Sequence, residues 1–363
     1  MEHDAGYQAL KEEIRSFITR CADAKPRDSE RDALIDQACA YQAKHVQPYK
    51  NYLEHLKRSM QTPDPFRWSA LPTDVFRYAR IASHSADKDI RVFQTSGTTA
   101  EHSGKHPFAD LSLYQQAAHH AAKAALFPDR ERMRIVILAP SETEAPHSSL
   151  SYMLARFIDD FGTPNSIYVW KQNSIQMTLM KKALDESVNH EEPIALLGTS
   201  FAFVHVLDEL QQKWQLPSAS RIMQTGGFKG KSREVPRDEL EKQLSTSFGI
   251  PSSHIIAEYG MTELSSQMYE NKLVRALAQQ SWKPGYFCAP PWVRVSIVDP
   301  DDLASVEEGQ EGLIEIFDLA NLDSVCGVLT SDLGIKDANG FYLLGRAPGS
   351  LLRGCSLVAE EFL

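Results

Sequence analysis

The sequence predicts an α/β fold with a largely parallel sheet at its core and a smaller β-rich subdomain after it. Short strand-like runs rich in apolar residues recur at 135–139, 194–197, 221–224 and 254–257, and runs of this kind suit strands covered on both faces. Helical patterns alternate with them, as a parallel sheet requires, because parallel neighbours are joined only by long crossovers. Beyond Pro284 the texture changes. Val293-Arg294-Val295-Ser296-Ile297-Val298 and Leu313-Ile314-Glu315-Ile316-Phe317 alternate strongly, which is the pattern of a sheet with one wet face.

Taken in order, residues 7–22 place Leu10, Ile14, Phe17, Ile18 and Cys21 on one face of a helix. Helical pattern continues to about residue 59 and breaks at Thr62-Pro63-Asp64-Pro65. A loop rich in hydroxyls and glycine follows at 94–108, then an expected helix over 112–126 and the first apolar run, which ends at Pro140. Each of the next three runs leads into a polar or glycine-rich turn. These are Gly198-Thr199-Ser200-Phe201, Thr225-Gly226-Gly227-Phe228-Lys229-Gly230 and Glu258-Tyr259-Gly260-Met261-Thr262-Glu263. Helices are expected after the first two, carrying Phe203, Val206, Leu207 and Leu210 in one case and spanning 237–247 in the other. Ligands of open α/β sheets collect at the carboxyl ends of the strands, so the three turns are expected to converge. A last apolar run lies at 341–344. The expected division is a helical lead-in packed on the core over 1–90, an α/β core over 91–284, the β-rich subdomain over 285–340, and a tail over 341–363. No internal repeat or low-complexity tract was found.

Composition narrows the function classes. The formal net charge of −10 argues against nucleic acid or an anionic membrane as the main partner, since both reward clustered Lys and Arg. No segment approaches the 18 apolar residues of a membrane span, and the N-terminus lacks the basic start and apolar run of a signal peptide. A cytoplasmic setting is therefore expected. Five scattered cysteines with no C-x-x-C pair suggest neither a disulfide framework nor a zinc site.

The loop Thr95-Ser96-Gly97-Thr98-Thr99 has hydroxyls on both sides of a glycine. Backbone N–H groups and hydroxyls in such a loop can wrap an anion, and Gly97 removes the Cβ that would block its approach. The same cluster also reads as an ordinary turn. It is not the common nucleotide-triphosphate loop, because Gly97 and Gly104 are too far apart and His106 follows Lys105 where Ser or Thr is required.

Four segments in order, Thr95-Ser96-Gly97-Thr98-Thr99, Tyr259-Gly260-Met261-Thr262-Glu263, Thr330-Ser331-Asp332 and Gly345-Arg346, resemble the core motifs of the adenylate-forming acyl/aryl-CoA synthetase superfamily. Four ordered motifs are far more specific than any one alone. Within that superfamily the chain is most similar to the acyl-protein synthetases of bacterial bioluminescence, the LuxE family. Thr225-Gly226-Gly227, Ser148-Ser149-Leu150-Ser151-Tyr152-Met153, and the ending from Leu344-Gly345-Arg346 through Arg353-Gly354-Cys355-Ser356-Leu357 carry that closer likeness.

The resemblance implies the N-terminal domain type of adenylate-forming enzymes, with ATP and Mg2+ as cofactors and a carboxylic acid as substrate. Thr95, Ser96, Gly97, Thr98 and Thr99 would hold phosphates, assisted by Lys105 unless that is a solvated surface lysine. Tyr259 would stack on adenine unless it is a core tyrosine. Glu258, Gly260 and Met261 complete that nucleotide turn, Thr262 would contact phosphate, and Glu263 would ligate Mg2+, which takes oxygen ligands. Gly226 and Gly227 would lie against the purine, although Gly-Gly is equally a bare turn. Asp332 would accept from the ribose hydroxyls, and Arg346 resembles the arginine on the hinge side. Ser149, Tyr152, Ser200, Phe201, Phe228 and Met261 flank the motif ends and are candidates for an acyl pocket, with core packing the competing reading of each.

The common synthetases continue beyond the Gly-Arg motif into a mobile cap that delivers a catalytic lysine, whereas this sequence ends at Leu363. The expectation is a truncated cap with that lysine missing. In the bioluminescence branch the shortened end carries an acyl-accepting cysteine, and Cys355 stands in the matching context. Arg353 nearby would favour the thiolate. An inert terminal cysteine is the competing reading.

The leading expectation is ATP-dependent conversion of a carboxylic acid, a fatty acid by resemblance, to an acyl-adenylate, with transfer to Cys355 and delivery to a partner such as an acyl reductase. One alternative ends on coenzyme A or a carrier-protein thiol with an aryl or short acid. Another, of a different class, is a catalytically silent binding subunit of a multienzyme complex.

Overall fold

The computed structural model describes residues 2–23, 27–59, 68–95, 103–226 and 235–348. In chain order the elements begin with α1 (Glu2–Asp23), α2 (Asp28–His45), α3 (Gln47–Ser59), β1 (Leu71–Pro72), α4 (Val75–Tyr78), β2 (Arg91–Gln94), β3 (Lys105–Phe108) and α5 (Ser112–Ala125). There follow β4 (Arg134–Leu138), α6 (Ser149–Phe161), β5 (Ile167–Tyr168), β6 (Trp170–Lys171), β7 (Ser174–Ile175), α7 (Met177–Asn189), β8 (Ile194–Thr199) and α8 (Ser200–Glu209). Next come β9 (Arg221–Thr225), α9 (Arg237–Phe248), β10 (Ile255–Tyr259), β11 (Met268–Glu270) and α10 (Lys272–Leu277). The last are β12 (Tyr286–Cys288), β13 (Val293–Val298), β14 (Glu311–Asp318), β15 (Gly327–Asp337) and β16 (Gly340–Arg346).

These elements form two compact units that interleave along the chain. One holds residues 121–260 and 268–285, and the other holds the remaining described residues. The division expected at 284 lies one residue from a change of unit, between Gly285 and Tyr286, whereas those expected at 90 and 340 fall inside a unit. β1 pairs in parallel with β15, so the first 90 residues contribute a strand as well as helices. β16, expected as the start of a tail, pairs with both β15 and β12 and is an integral strand. Pairing partners distant in sequence draw these segments together, and local composition carries no trace of that.

The first unit is built on a sheet in the order β11-β10-β9-β8-β4-β5. Every neighbouring pair is parallel except β10 with β11. Val136, Leu196, Ile222 and Ile255 from four adjacent strands pack with Phe203 and Val206 of α8 and Leu244 and Phe248 of α9, all with no exposed surface. The helices start where capping predicts. The Ser148 hydroxyl accepts from Ser151 N–H ahead of α6, and the Thr199 hydroxyl accepts from Ala202 N–H ahead of α8. Behind β10, the buried carboxylate of Glu270 accepts from the Ala257 and Gly285 N–H groups at 2.8 and 2.7 Å and pairs with Lys272 and Arg237. A buried carboxylate is tolerable only when paired and hydrogen-bonded in this way.

In the second unit β13, β14, β15, β16 and β12 form an antiparallel run, with β1 beside the first half of β15. β2 and β3 make a separate two-stranded ribbon. α1 buries Leu10, Ile14, Phe17 and Ile18, the face that helical spacing marks. Two buried polar residues join the helices to the 321–326 turn. Gln42 donates to the carbonyls of Asn321 and Leu322 at 3.0 and 3.2 Å and accepts from Cys326 N–H at 2.7 Å. Asp323 bonds to the Tyr7 hydroxyl and accepts from the Ala109 and Asp110 N–H groups at 2.8 and 2.9 Å. Among the described residues no helix is long and apolar enough to cross a membrane.

Replacing Gln42 with Leu keeps the volume but strands one N–H and two carbonyls in the interior. A loss of about 3 kcal/mol is expected, read as a lower urea midpoint with unchanged slope.

Candidate functional site

In the unit of parallel strands, the ends of β8, β9 and β10 stand side by side, with Thr199 opposite Thr225 and Thr225 opposite Glu258. The turns that follow these strands therefore share one end of the sheet. Ser200 donates to the Gly226 carbonyl at 2.9 Å, so its hydroxyl fixes the turn after β9. Gly226 has φ of +70°, and among the described residues no atom lies within 4 Å of where a Cβ would stand. The backbone there is left-handed, which favours glycine. Thr225 is hydrogen-bonded to the buried carboxyl of Glu258. Burial pushes the Glu258 pKa up to about 7, against the opposing effect of the Thr225 hydroxyl.

Tyr259 is buried and Gly260 half-buried. Ser149 is half-buried in the first turn of α6, and Tyr152 is buried one turn later with the Arg156 guanidinium 5.2 Å from its ring centre. Phe201 is half-buried and meets Trp170 edge-on at 5.9 Å. Trp170 belongs to a short hairpin that the sequence reading did not identify.

In the other unit, Thr95 closes the neck of the hydroxyl-rich loop. Its N–H donates to the Gly104 carbonyl at 2.9 Å and its hydroxyl accepts from the Gly104 N–H at 2.8 Å. A Cβ on Gly104 would come within 3.3 Å of the Thr95 methyl, a tight fit that glycine avoids. Lys105, the next residue, is exposed. His106 is 1% exposed and donates from Nδ1 to the Thr262 carbonyl at 2.7 Å. Burial pushes the His106 pKa down to about 4, so the ring is neutral near pH 7.

Met261 and Thr262 are half-buried and Glu263 is buried. The turn they begin is held from below by side chains. Asn321 donates to the Glu263 carbonyl at 2.9 Å and accepts from the Ser265 hydroxyl at 2.8 Å. Asp318 accepts from the Ser265 and Ser266 N–H groups and from the Ser266 hydroxyl at 2.9, 2.8 and 2.7 Å. Burial raises the pKa of Asp318 even against these donors. Trp292 adds a bond to the Ser266 hydroxyl at 2.9 Å.

Thr330-Ser331-Asp332 lies inside β15, not in a turn of its own. Thr330 donates to the Ile314 carbonyl at 2.8 Å and accepts from Asp332 N–H at 3.1 Å. Asp332 stands opposite Arg346 on β16, with Nε to Oδ1 at 3.5 Å; the Arg346 side chain is 72% exposed and that of Asp332 14%. Ser96, Gly97, Thr98, Thr99, Gly227, Phe228 and Cys355 lie outside the described residues.

The sequence reading gave no role to His106, Asp318 or Asn321, and named Thr225 only as part of the Thr225-Gly226-Gly227 segment. His106 adjoins Lys105, but nothing in a single sequence couples it to a residue 156 positions away.

The family model for acyl-protein synthetase, LuxE, matches residues 26–363. The chain belongs to this family. Two curated proteins similar to this LuxE-family chain are long-chain-fatty-acid–luciferin-component ligases. The one from Aliivibrio fischeri is 22% identical over 316 residues, covering 84% of this chain and 79% of that protein. The one from Vibrio harveyi is 21% identical over 342 residues, covering 90% and 86%. Among solved structures, an open conformation of 2-hydroxyisobutyryl-CoA ligase in complex with 2-HIB-AMP and CoA matches with a TM-score of 0.63 at 13% identity, over 88% of this chain and 70% of that one. ATP-bound MatB from Rhodopseudomonas palustris matches with a TM-score of 0.52 at 15% identity, over 73% of this chain. The match spans about half of the MatB chain, 49%. The fold of this LuxE-family chain is thus that of the adenylate-forming enzymes.

The Glu258 carboxyl has a pH signature. Its pKa of about 7 in the fold stands above the ordinary 4.5, so the folded chain binds the extra proton between those values. Its contribution to stability is full below about pH 4.5 and is lost as pH rises through 7. Relative to Glu258→Gln, the wild type is expected to lose on the order of 3 kcal/mol between pH 5 and 8. Parallel melting curves of the two proteins across that range check it.

Proposed function

We propose that this chain activates a fatty acid with ATP and passes the acyl group to a thiol, Cys355. The observation that carries the reading is the shared anchoring of two motif segments. The neck of the Thr95–Gly104 loop leads through β3 to His106, which holds the carbonyl of Thr262, next to Glu263.

Each unit holds groups suited to part of a nucleotide. Among the described residues nothing crowds the backbone at Gly226, which a flat ring could approach. Glu258, with a pKa near 7, can donate as well as accept, as the edge of a purine requires. Asp332 is a carboxylate suited to ribose hydroxyls, and Arg346 pairs with it. The loop hydroxyls, with Lys105 and Thr262, supply donors for phosphate oxygens. Among the described residues no three acidic, His or Cys groups cluster as a ready-made metal cage. A single carboxylate, Glu263, suits Mg2+, which is commonly held by one or two carboxylates with water and phosphate. Bound there, the ion would neutralise charge on the phosphates.

The chemistry balances without a redox partner. A carboxylate oxygen attacks the α-phosphorus, pyrophosphate leaves, and the acyl-adenylate carries AMP as a good leaving group. The Cys355 thiolate then attacks the carbonyl carbon, and AMP departs with the oxygen that came from the acid. The chain's own part is to orient the two reactants in line and to meet developing charge with fixed donors. Tyr152, Ser149, Phe201, Phe228 and Met261 are assigned to the acyl side and Tyr259 to the adenine side. Ser200 acts there through the turn at Gly226. The thioester product suits a partner that reduces or otherwise accepts an acyl group, and we place the reaction in the cytoplasm.

Carboxylate-dependent ATP–pyrophosphate exchange, run with short, medium and long fatty acids and with aryl acids, tests the first half-reaction. Stimulation by the longer fatty acids is expected, and Glu263→Gln should lower the rate about 100-fold. Unchanged exchange in Glu263→Gln removes the metal assignment. For the second half, Cys355→Ser is expected to keep full exchange and lose the hydroxylamine-sensitive acyl label. A thioester label surviving in that variant rules out Cys355 as acceptor.

A further inference from the structure

β3 opens with two neighbours in opposite settings: Lys105 is exposed, and His106 is enclosed. The His106 ring lies 4.3 Å from Phe108 and 5.9 Å from Phe76 between ring centres, so it is walled by aromatic carbon. Its Nδ1 is 2.7 Å from the Thr262 carbonyl oxygen. A carbonyl only accepts, so Nδ1 carries the proton and Nε2 is a bare acceptor. Among the described residues nothing donates to that buried Nε2.

Leaving a buried polar atom unmet costs free energy that a Phe or Leu of similar size would not incur. What an apolar residue cannot supply at this position is the one bond His106 makes. That bond goes to the backbone between Met261 and Glu263, on a turn whose later residues are already tied to Asn321 and Asp318. The other described bonds to the turn go to Glu263, Ser265 and Ser266 and, within it, from the Leu264 N–H to the Met261 carbonyl at 3.2 Å, and the bond from His106 is the one among them that reaches the Thr262 carbonyl. His106 also stands two residues beyond Gly104, the partner of Thr95 at the loop neck. One side chain therefore links the neck at Thr95 and Gly104 to the Thr262–Glu263 pair.

We infer that His106 is a positioning residue that sets Thr262 and Glu263 in register with the neck formed by Thr95 and Gly104. The inference rests on the reading that these two segments handle phosphate and metal. It concerns geometry held before any substrate binds.

Three variants separate this role from packing. In His106→Asn the amide nitrogen sits near the position of Nδ1 and keeps the donor. His106→Gln moves the donor toward Nε2, and His106→Phe fills the space with no donor. Hydrogen exchange of the full chain without nucleotide is the first readout. Amides over 261–267 are expected to lose protection about tenfold or more in His106→Phe and His106→Gln and to keep it in His106→Asn. Pyrophosphate exchange is the second. In His106→Phe, kcat should fall and the Mg2+ needed for half-maximal rate should rise, each about 10–100-fold, with KM for the fatty acid unchanged. His106→Asn should recover most of both. Wild-type protection and kinetics in His106→Phe overturn the inference, and so does equal damage in the Asn and Phe variants at matched melting temperature. A wild type that supports no exchange with any acid defeats the functional reading instead, and the protection pattern then decides the His106 link alone.

Discussion

The turn from Thr262 to Ser266 belongs to no helix or strand, so side chains must hold its backbone. Asp318, Asn321 and His106 do so, Trp292 holds the Ser266 hydroxyl, and all four are buried. The arrangement is demanding. A carboxylate without exposed surface at Asp318 is stable only while its donors are in place, and each donor belongs to the turn or to the chain just after Asp318 itself. The segment with the greatest chemical promise is thus fixed by the interior of its unit.

Such anchoring matters for chemistry whose barrier is lowered by fixed dipoles and charges. Donors and carboxylates already in place need no reorganisation as charge develops. The parallel-strand unit follows the same logic by other means. There the ends of β8, β9 and β10 are set by the ladder, the Ser200 hydroxyl ties the turn at Gly226, and the Thr225 hydroxyl holds the Glu258 carboxyl of the next strand. Both units place polar side chains beneath the backbone of a motif, a supporting layer that motif residues alone do not reveal.

What could be read in the sequence follows from range. The parallel strands were legible because burial on both faces leaves unmixed apolar runs, and β4, β8, β9 and β10 fall within a residue or two of those runs. The ordered motifs were legible because they are consecutive residues, and the family match confirms the resemblance they carried. Thr330-Ser331-Asp332, read without its motif, looks like a turn, yet it lies within an 11-residue strand. Ser, Asp and Gly signal turns only where no neighbouring strand completes their hydrogen bonds, and here β14 and β16 do. His106, Asp318 and Asn321 were invisible for a related reason. Their partners in the turn lie 52 to 156 positions away, and their own neighbours give no hint of them. The interleaved units escaped notice likewise, since only tertiary pairing joins β1 to β15.

The central claim is that the acid is activated through its own oxygen on the α-phosphate before a thiol takes the acyl group. The most direct measurement is a turnover with ATP and a fatty acid carrying 18O in its carboxylate, followed by mass analysis of the AMP and pyrophosphate released. One 18O in AMP and none in pyrophosphate is the expected result. Unlabelled AMP, or label in inorganic phosphate, contradicts the account.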